Sequence, residues 1–157
     1  MTNYQIETRD MEPFAAAYLS YQGPISEAPR LFPEVFKSIR GKANGAPFIN
    51  YLAMDPETKK GKVELCVPTA ETPSGNGIQL KQLPRIRAIC TTHTGPYDTL
   101  TDAYAAIDCY AAEQNLRLVP PFREVYIKGP GMLFKGNPHT YITEIQFPIE
   151  EDKREHN

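Results

Sequence analysis

The feature that most constrains this chain is that it carries the same lead-in to a helix twice. YQGPI begins at Tyr21 and HTGPY at His93, so that Gly23-Pro24 and Gly95-Pro96 lie 72 residues apart. The likeness runs in both directions. Before the turn FAAAYLSYQGP faces IRAICTTHTGP, after the helical segment GAPFINYLAM faces VPPFREVYIK, and at the end VELCVPTA faces TEIQFPIE, where the offset has grown to 80. A repeat of this length is a supersecondary unit that buries too little surface alone and associates with its copy.

Each copy reads as strand, strand, helix, strand, strand. In the first, about residues 1–70, strands are expected over Tyr4 to Arg9, Phe14 to Tyr21, Phe48 to Met54 and Gly61 to Val67. Leu31, Val35 and Ile39 recur at helical spacing, with Ser26 as an N-cap. Pro33 belongs either in the first turn of a helix that starts late or at a bend in one that starts at Ser26. In the second, about residues 76–150, strands are expected near Ile78 to Gln82, Ile86 to Thr92, Arg123 to Lys128 and Thr140 to Pro148. The helix, Asp98 to Gln114, carries the apolar stripe Leu100, Ala103, Tyr104, Ile107 and Ala111, and Asp98 or Thr99 caps it. TAETPSGNG links the copies, and the charged tail 151–157 follows. The fold expected is a single α+β domain of pseudo-twofold symmetry, each antiparallel sheet layer covered by helix on one face and open on the other, with a cleft between the halves.

Composition narrows the function classes. Seventeen Lys and Arg against nineteen Asp and Glu give a net charge of -2 and no basic stripe, so direct nucleic-acid binding is not expected. No apolar run is long enough to cross a bilayer and the N-terminus lacks a secretory pattern, which predicts a cytoplasmic protein without membrane contact. Cys66, Cys90 and Cys109 do not form a disulfide framework, and His93, His139 and His156 do not form a metal constellation. No glycine-rich phosphate-binding pattern occurs, and neither cofactor nor metal is expected. His93 is read as a hydrogen-bonding residue of its turn.

Alternation along the last strands places Tyr141, Thr143, Ile145 and Phe147 against the helices and leaves Glu64 and Glu144, equivalent in the two copies, facing the cleft. In FREVYIK the same logic puts Val125 and Ile127 against the helix and Phe122, Glu124 and Tyr126 with Glu144. Tyr18, Tyr51 and Phe134 can also reach a cleft or a loop over it. A carboxylate flanked by aromatics serves either as counter-ion to a lipophilic cation or as a poised acid or base.

The segments IRAICTTHTGPYDTLTDAYAAIDCYAAEQ, PPFREVYIKGP and YITEIQFPIE together resemble the GyrI-like, or bacterial effector-binding, superfamily. It includes the ligand-sensing part of AraC-type and multidrug-responsive regulators and stand-alone members related to gyrase inhibitors. The resemblance implies a groove between two related halves that takes hydrophobic, often cationic, small molecules. It places the family's central acid on Glu144, with the preceding strand's aromatics near Phe122 and Tyr126. It also implies two alternatives. One is a hydrolase of electrophilic hydrophobic compounds, using Tyr126 with Glu144 or Glu124. The other is a protein that binds gyrase or a separate regulator. A monomer is expected, because the second copy supplies the partner surface, and an exposed strand edge leaves a dimer open.

Overall fold

The computed structural model describes residues 3–130 and 136–151. Phe134, most of the charged tail and His156 lie outside the described residues. The elements are β1 (Ile6–Met11), β2 (Phe14–Pro24), α1 (Phe32–Ser38), β3 (Phe48–Met54), β4 (Lys60–Pro68), β5 (Ile78–Leu83), β6 (Ile86–Thr94), α2 (Leu100–Glu113), β7 (Phe122–Lys128) and β8 (Ile142–Pro148). Pro33 takes the first of its two expected placements, in a helix that starts late. A 3-10 segment, Ile25–Leu31, leads into α1, and Pro33 sits in the first turn of α1, where its missing N–H is not needed. Ser26 therefore lies inside the 3-10 segment instead of capping a helix. Thr99 makes no side-chain cap to α2. Its hydroxyl donates to the Pro96 carbonyl, and His93 Nε2 lies 2.9 Å from that hydroxyl, which ties the turn to the helix.

All eight strands form one antiparallel sheet in the order β1-β6-β8-β7-β3-β4-β2-β5. Exchanging the strands of one half for those of the other returns this order reversed. The registers obey the same exchange. Tyr21 of β2 faces Val63 and His93 of β6 faces Thr143, while Val63 also faces Tyr51 and Thr143 also faces Tyr126. Tyr51 and Tyr126 thus hold corresponding places, as do Ile49 and Glu124, opposite Leu65 and Ile145. Each is followed by a β-bulge, at Leu52 and at Ile127. The first strand of each copy is exchanged: β1 pairs with β6 and β5 with β2. The copies are interlocked by this exchange, a long-range pairing that no local pattern encodes.

The exchange also curls the sheet. β5 and β6 stand six places apart, a separation of roughly 29 Å in a flat sheet. Only Pro84 and Arg85 lie between them, a reach of about 10 Å. The β1–β2 link, Glu12 and Pro13, spans the same gap. The sheet therefore curls so that the linked ends of β5 and β6, and of β1 and β2, come close, and both faces acquire a core. On the helical face α1 packs Val35 and Ile39 on Ile49, Tyr51, Val63 and Leu65, and α2 packs Leu100, Ala103, Ile107 and Ala111 on Ile89 and Ile145. The other face, expected to be open, buries Ala16, Phe48, Cys66 and Leu83, with Phe14, Tyr18 and Val125 beside them.

Candidate functional site

The two helical covers leave the central strands β3 and β7 between them, and there a carboxylate is held by tyrosines. Glu124 is 8% exposed. Its Oε1 accepts hydrogen bonds from the hydroxyls of Tyr51 at 2.9 Å and Tyr126 at 2.8 Å, and its Oε2 accepts from Tyr104 at 2.5 Å. Each hydroxyl comes from a different element. Tyr51 stands on β3, opposite Phe122; Tyr126 is two residues along β7 from Glu124 and so on the same face; Tyr104 is the one polar-tipped member of the α2 stripe.

Rings enclose this cluster. Phe122 stacks on Tyr51 with centroids 4.8 Å apart and on Phe147 at 4.6 Å, and Tyr104 meets it edge-on at 5.6 Å. Phe32 of α1 and Tyr97 meet the Tyr126 ring edge-on at 6.0 and 5.7 Å. Tyr97, 36% exposed, is the outermost ring, and Gly129 lets it lie close, since a Cβ there would stand 2.6 Å from its hydroxyl.

A carboxylate presents about four acceptor positions, of which three are filled here by neutral donors. Among the described residues no Lys, Arg or His forms an ion pair with Glu124. Burial, then the negative charge of Glu124, raises the pKa of Tyr51, Tyr104 and Tyr126 well above the ordinary tyrosine value. Tyr97 is pushed up to about 12, chiefly by burial. The hydroxyls therefore keep their protons and donate to the carboxylate. The arrangement is a carboxylate with aromatic walls and, among the described residues, no cation paired with it.

The structure separates residues that alternation had grouped. Val125 of β7 faces Glu144 and Tyr126 faces Thr143, so Phe122, Glu124 and Tyr126 lie on the helical face and Glu144 on the other. The expected recess shared by Glu144 and Tyr126 is not formed. The phase of FREVYIK is the reverse of the expected one because both faces of this strand are packed; Ile127, expected in the core, is the bulged residue and is 52% exposed. Its core neighbour Val125 packs in the second core instead. Glu144 is bound to Arg9 at 2.5 Å and accepts from Gln146 at 2.7 Å, and Glu64 is bound to Lys81 and accepts from Asn50 at 3.0 Å. Tyr18, under the Lys81 ammonium at 4.5 Å, shares that face. Of the residues singled out from sequence, Tyr51, Phe122, Glu124 and Tyr126 come together. Tyr104 joins them unanticipated; the signal for it was a phenol inside an otherwise aliphatic stripe.

Among the described residues no group of His, Cys, Asp or Glu is arranged to hold a metal ion, and no helix is long and apolar enough to cross a membrane. An α+β sheet with an acid sequestered among aromatics between its two helical covers has the architecture of a small-molecule-binding domain. The chain belongs to the GyrI-like family, and its residues 4–150 match the GyrI-like small molecule binding domain. The C-terminal domain of EcmrR is 26% identical, with a TM-score of 0.80 over 96% of this chain and 100% of that domain. The chain spans 58% of EcmrR as seen in its DNA complex. SAV2435 bound to tetraphenylphosphonium has a TM-score of 0.64 at 16% identity, over 99% of this chain and 98% of that one. A hydrolase from Listeria innocua has a TM-score of 0.69 at 10% identity, over 93% and 92%. At these lower identities the likeness is one of fold. No curated protein matches the chain.

Proposed function

We propose that this domain binds lipophilic organic cations between its two helical covers, with Glu124 as counter-ion and the rings of Tyr51, Phe122, Tyr104 and Tyr126 as walls. The observation that carries this reading is the convergence of three tyrosine hydroxyls on one buried carboxylate that has no basic partner among the described residues. Burying an unpaired carboxylate costs several kcal/mol, and neutral hydrogen bonds offset that cost without cancelling the charge. A ligand that brings the missing positive charge and an apolar body satisfies both the field and the rings. The tetraphenylphosphonium held by SAV2435 is a cation of that chemistry.

Calorimetric titration with tetraphenylphosphonium tests it. Loss of a desolvated charge contact is worth about 2 kcal/mol or more, so Glu124→Gln is expected to weaken binding by about 30-fold or more. Triphenylphosphine oxide, uncharged and of similar shape, is expected to bind wild type and variant alike. Equal affinity of both proteins for the cation removes Glu124 from the role.

A second reading draws on the 2.8 Å contact between the Tyr126 hydroxyl and Glu124. In it the carboxylate activates water and the phenol protonates a leaving group, hydrolysing an electrophilic hydrophobic substrate. The raised tyrosine pKa makes that phenol a weaker proton donor, which ranks hydrolysis below binding. Product formation from an aryl epoxide by wild type, lost in Glu124→Gln, would reverse the order.

A further inference from the structure

The second face of the sheet holds the opposite charge in the same predicament. Arg123 is 3% exposed, and its Nη1 is buried without a hydrogen-bond acceptor. Its guanidinium lies over the rings of Phe14 at 5.3 Å and Phe48 at 5.8 Å, and burial lowers its pKa. Asn50, its partner across β3 and β7, has a buried Oδ1 that also meets no donor. Both residues line a cavity of about 410 Å³ where the rolled sheet brings the β5–β6 link against the loop before β7. That volume falls in the lower part of the range for small-molecule sites.

The cations around this cavity are not all paired alike. Lys81, Arg85, Arg87 and Arg123 line it. Lys81 is paired with Glu64, Arg85 with Glu151 and Asp10, and Arg87 with Asp10. Three of these cations are thus held by carboxylates, with Glu12 adding its charge at Arg85, and among the described residues Arg123, the most buried of the four, has no carboxylate paired with it. Leaving such a group unpaired is strongly unfavourable unless something else supplies the charge. The remaining walls are mostly apolar, including Leu83, Ile86, Val119, Pro121 and Pro148, with Gln82 and the Arg85-paired Glu151 as their polar members.

We propose that this cavity is a second ligand site, distinct from the Glu124 cluster, that takes an apolar organic monocarboxylate. The carboxylate pairs with Arg123, the hydrophobic body lies on the proline and aliphatic walls, and a donor on the ligand meets Asn50 Oδ1. The monoanion supplies the carboxylate that Arg123 does not meet among the described residues.

The test is an amide-resolved NMR titration with 2-naphthoate, using 2-naphthamide as the uncharged control. The expected result is saturable binding of 2-naphthoate with shifts centred on Asn50, Val119 and Arg123, and at least tenfold weaker binding of the amide. Arg123→Met is expected to weaken 2-naphthoate at least tenfold, and Glu124→Gln to leave it within twofold. Should Arg123→Met fail to fold, Val119→Phe, on the half-buried cavity wall, decides: it is expected to abolish 2-naphthoate binding and leave the helical-face core folded. Absence of saturable binding, equal binding of acid and amide, or unchanged affinity in Arg123→Met or Val119→Phe overturns the proposal. None of these readouts depends on whether a cation binds at Glu124.

Discussion

Glu144 and Glu124 are both carboxylates of neighbouring central strands, and their surroundings differ: Arg9 pairs with the first, while tyrosine hydroxyls alone hold the second among the described residues. Glu144 corresponds to Glu64 in the other half, and the cations that hold them, Arg9 and Lys81, correspond as well: Arg9 faces Ala88 of β6, and Lys81 faces Ala16 of β2. The same ion pair is thus made twice, once in each half, where an exchanged first strand crosses to its partner copy. Glu124 has Ile49 in the corresponding place, and Arg123 has Phe48. Charge that recurs in both halves is neutralised within the fold. Charge that β7 alone introduces, an acid to one face and a base to the other, is not.

The largest contrast this predicts is in ligand affinity. Where Glu124→Gln is expected to weaken tetraphenylphosphonium binding about 30-fold or more, Glu144→Gln is expected to change it less than threefold, because Arg9 already neutralises that carboxylate. Comparable losses in both variants would erase the distinction between the faces.

Stability should show the reverse preference. Arg9→Met leaves the Glu144 carboxylate, 18% exposed, without its cation, and also loosens the exchanged strand β1. A loss of about 1–2 kcal/mol is expected, less than for a fully buried pair because the Arg9 side chain is 36% exposed. Urea unfolding of Arg9→Met, Glu144→Gln and the double variant measures the coupling, and additive losses would show that the pair contributes nothing as a pair.

Much of this was legible beforehand, and the part that was not has a physical cause. The turns at Gly23-Pro24 and Gly95-Pro96 need positive φ, found at 148° and 139°, and these glycines gave the repeat its register. Helix α2 and the equivalence of Glu64 with Glu144 followed from spacing. The phase of β7 did not. Alternation tells faces apart only when one is apolar and the other wet, and this curled sheet buries Val125 on one face as it buries Tyr126 on the other. The exchange of β1 and β5 was hidden for a second reason: either pairing satisfies the same pattern in an isolated copy, and two-residue links are the ordinary mark of a hairpin, not of a crossing.

The tyrosines give a finer probe of the helical face. Tyr51, Tyr104 and Tyr126 have folded pKa values raised well above their unfolded value of about 10. The folded state then holds protons that the unfolded chain has released, so their contribution to stability is complete below pH 10 and is lost as pH rises through the folded values. Tyrosinate absorbance is expected to show these three hydroxyls ionising late or only on unfolding. Glu124→Gln removes the second cause of the shift and leaves burial, the first, so the three should ionise earlier than in wild type but still above pH 10. An unchanged titration curve would mean that the carboxylate does not act on the hydroxyls.

The smallest expected effect lies at the outer ring. An alanine at Gly129 would press on the Tyr97 hydroxyl, the free end of a side chain that can swing outward, so Gly129→Ala is expected to cost about 1 kcal/mol or less. Turning Tyr97 outward also loosens its contacts with Tyr126 and Tyr141, whose rings it meets at 5.7 and 5.2 Å. Cation affinity should therefore fall a few-fold while 2-naphthoate binding on the opposite face stays as it was. A matching fall for both ligands would mean that the two faces are coupled through β7.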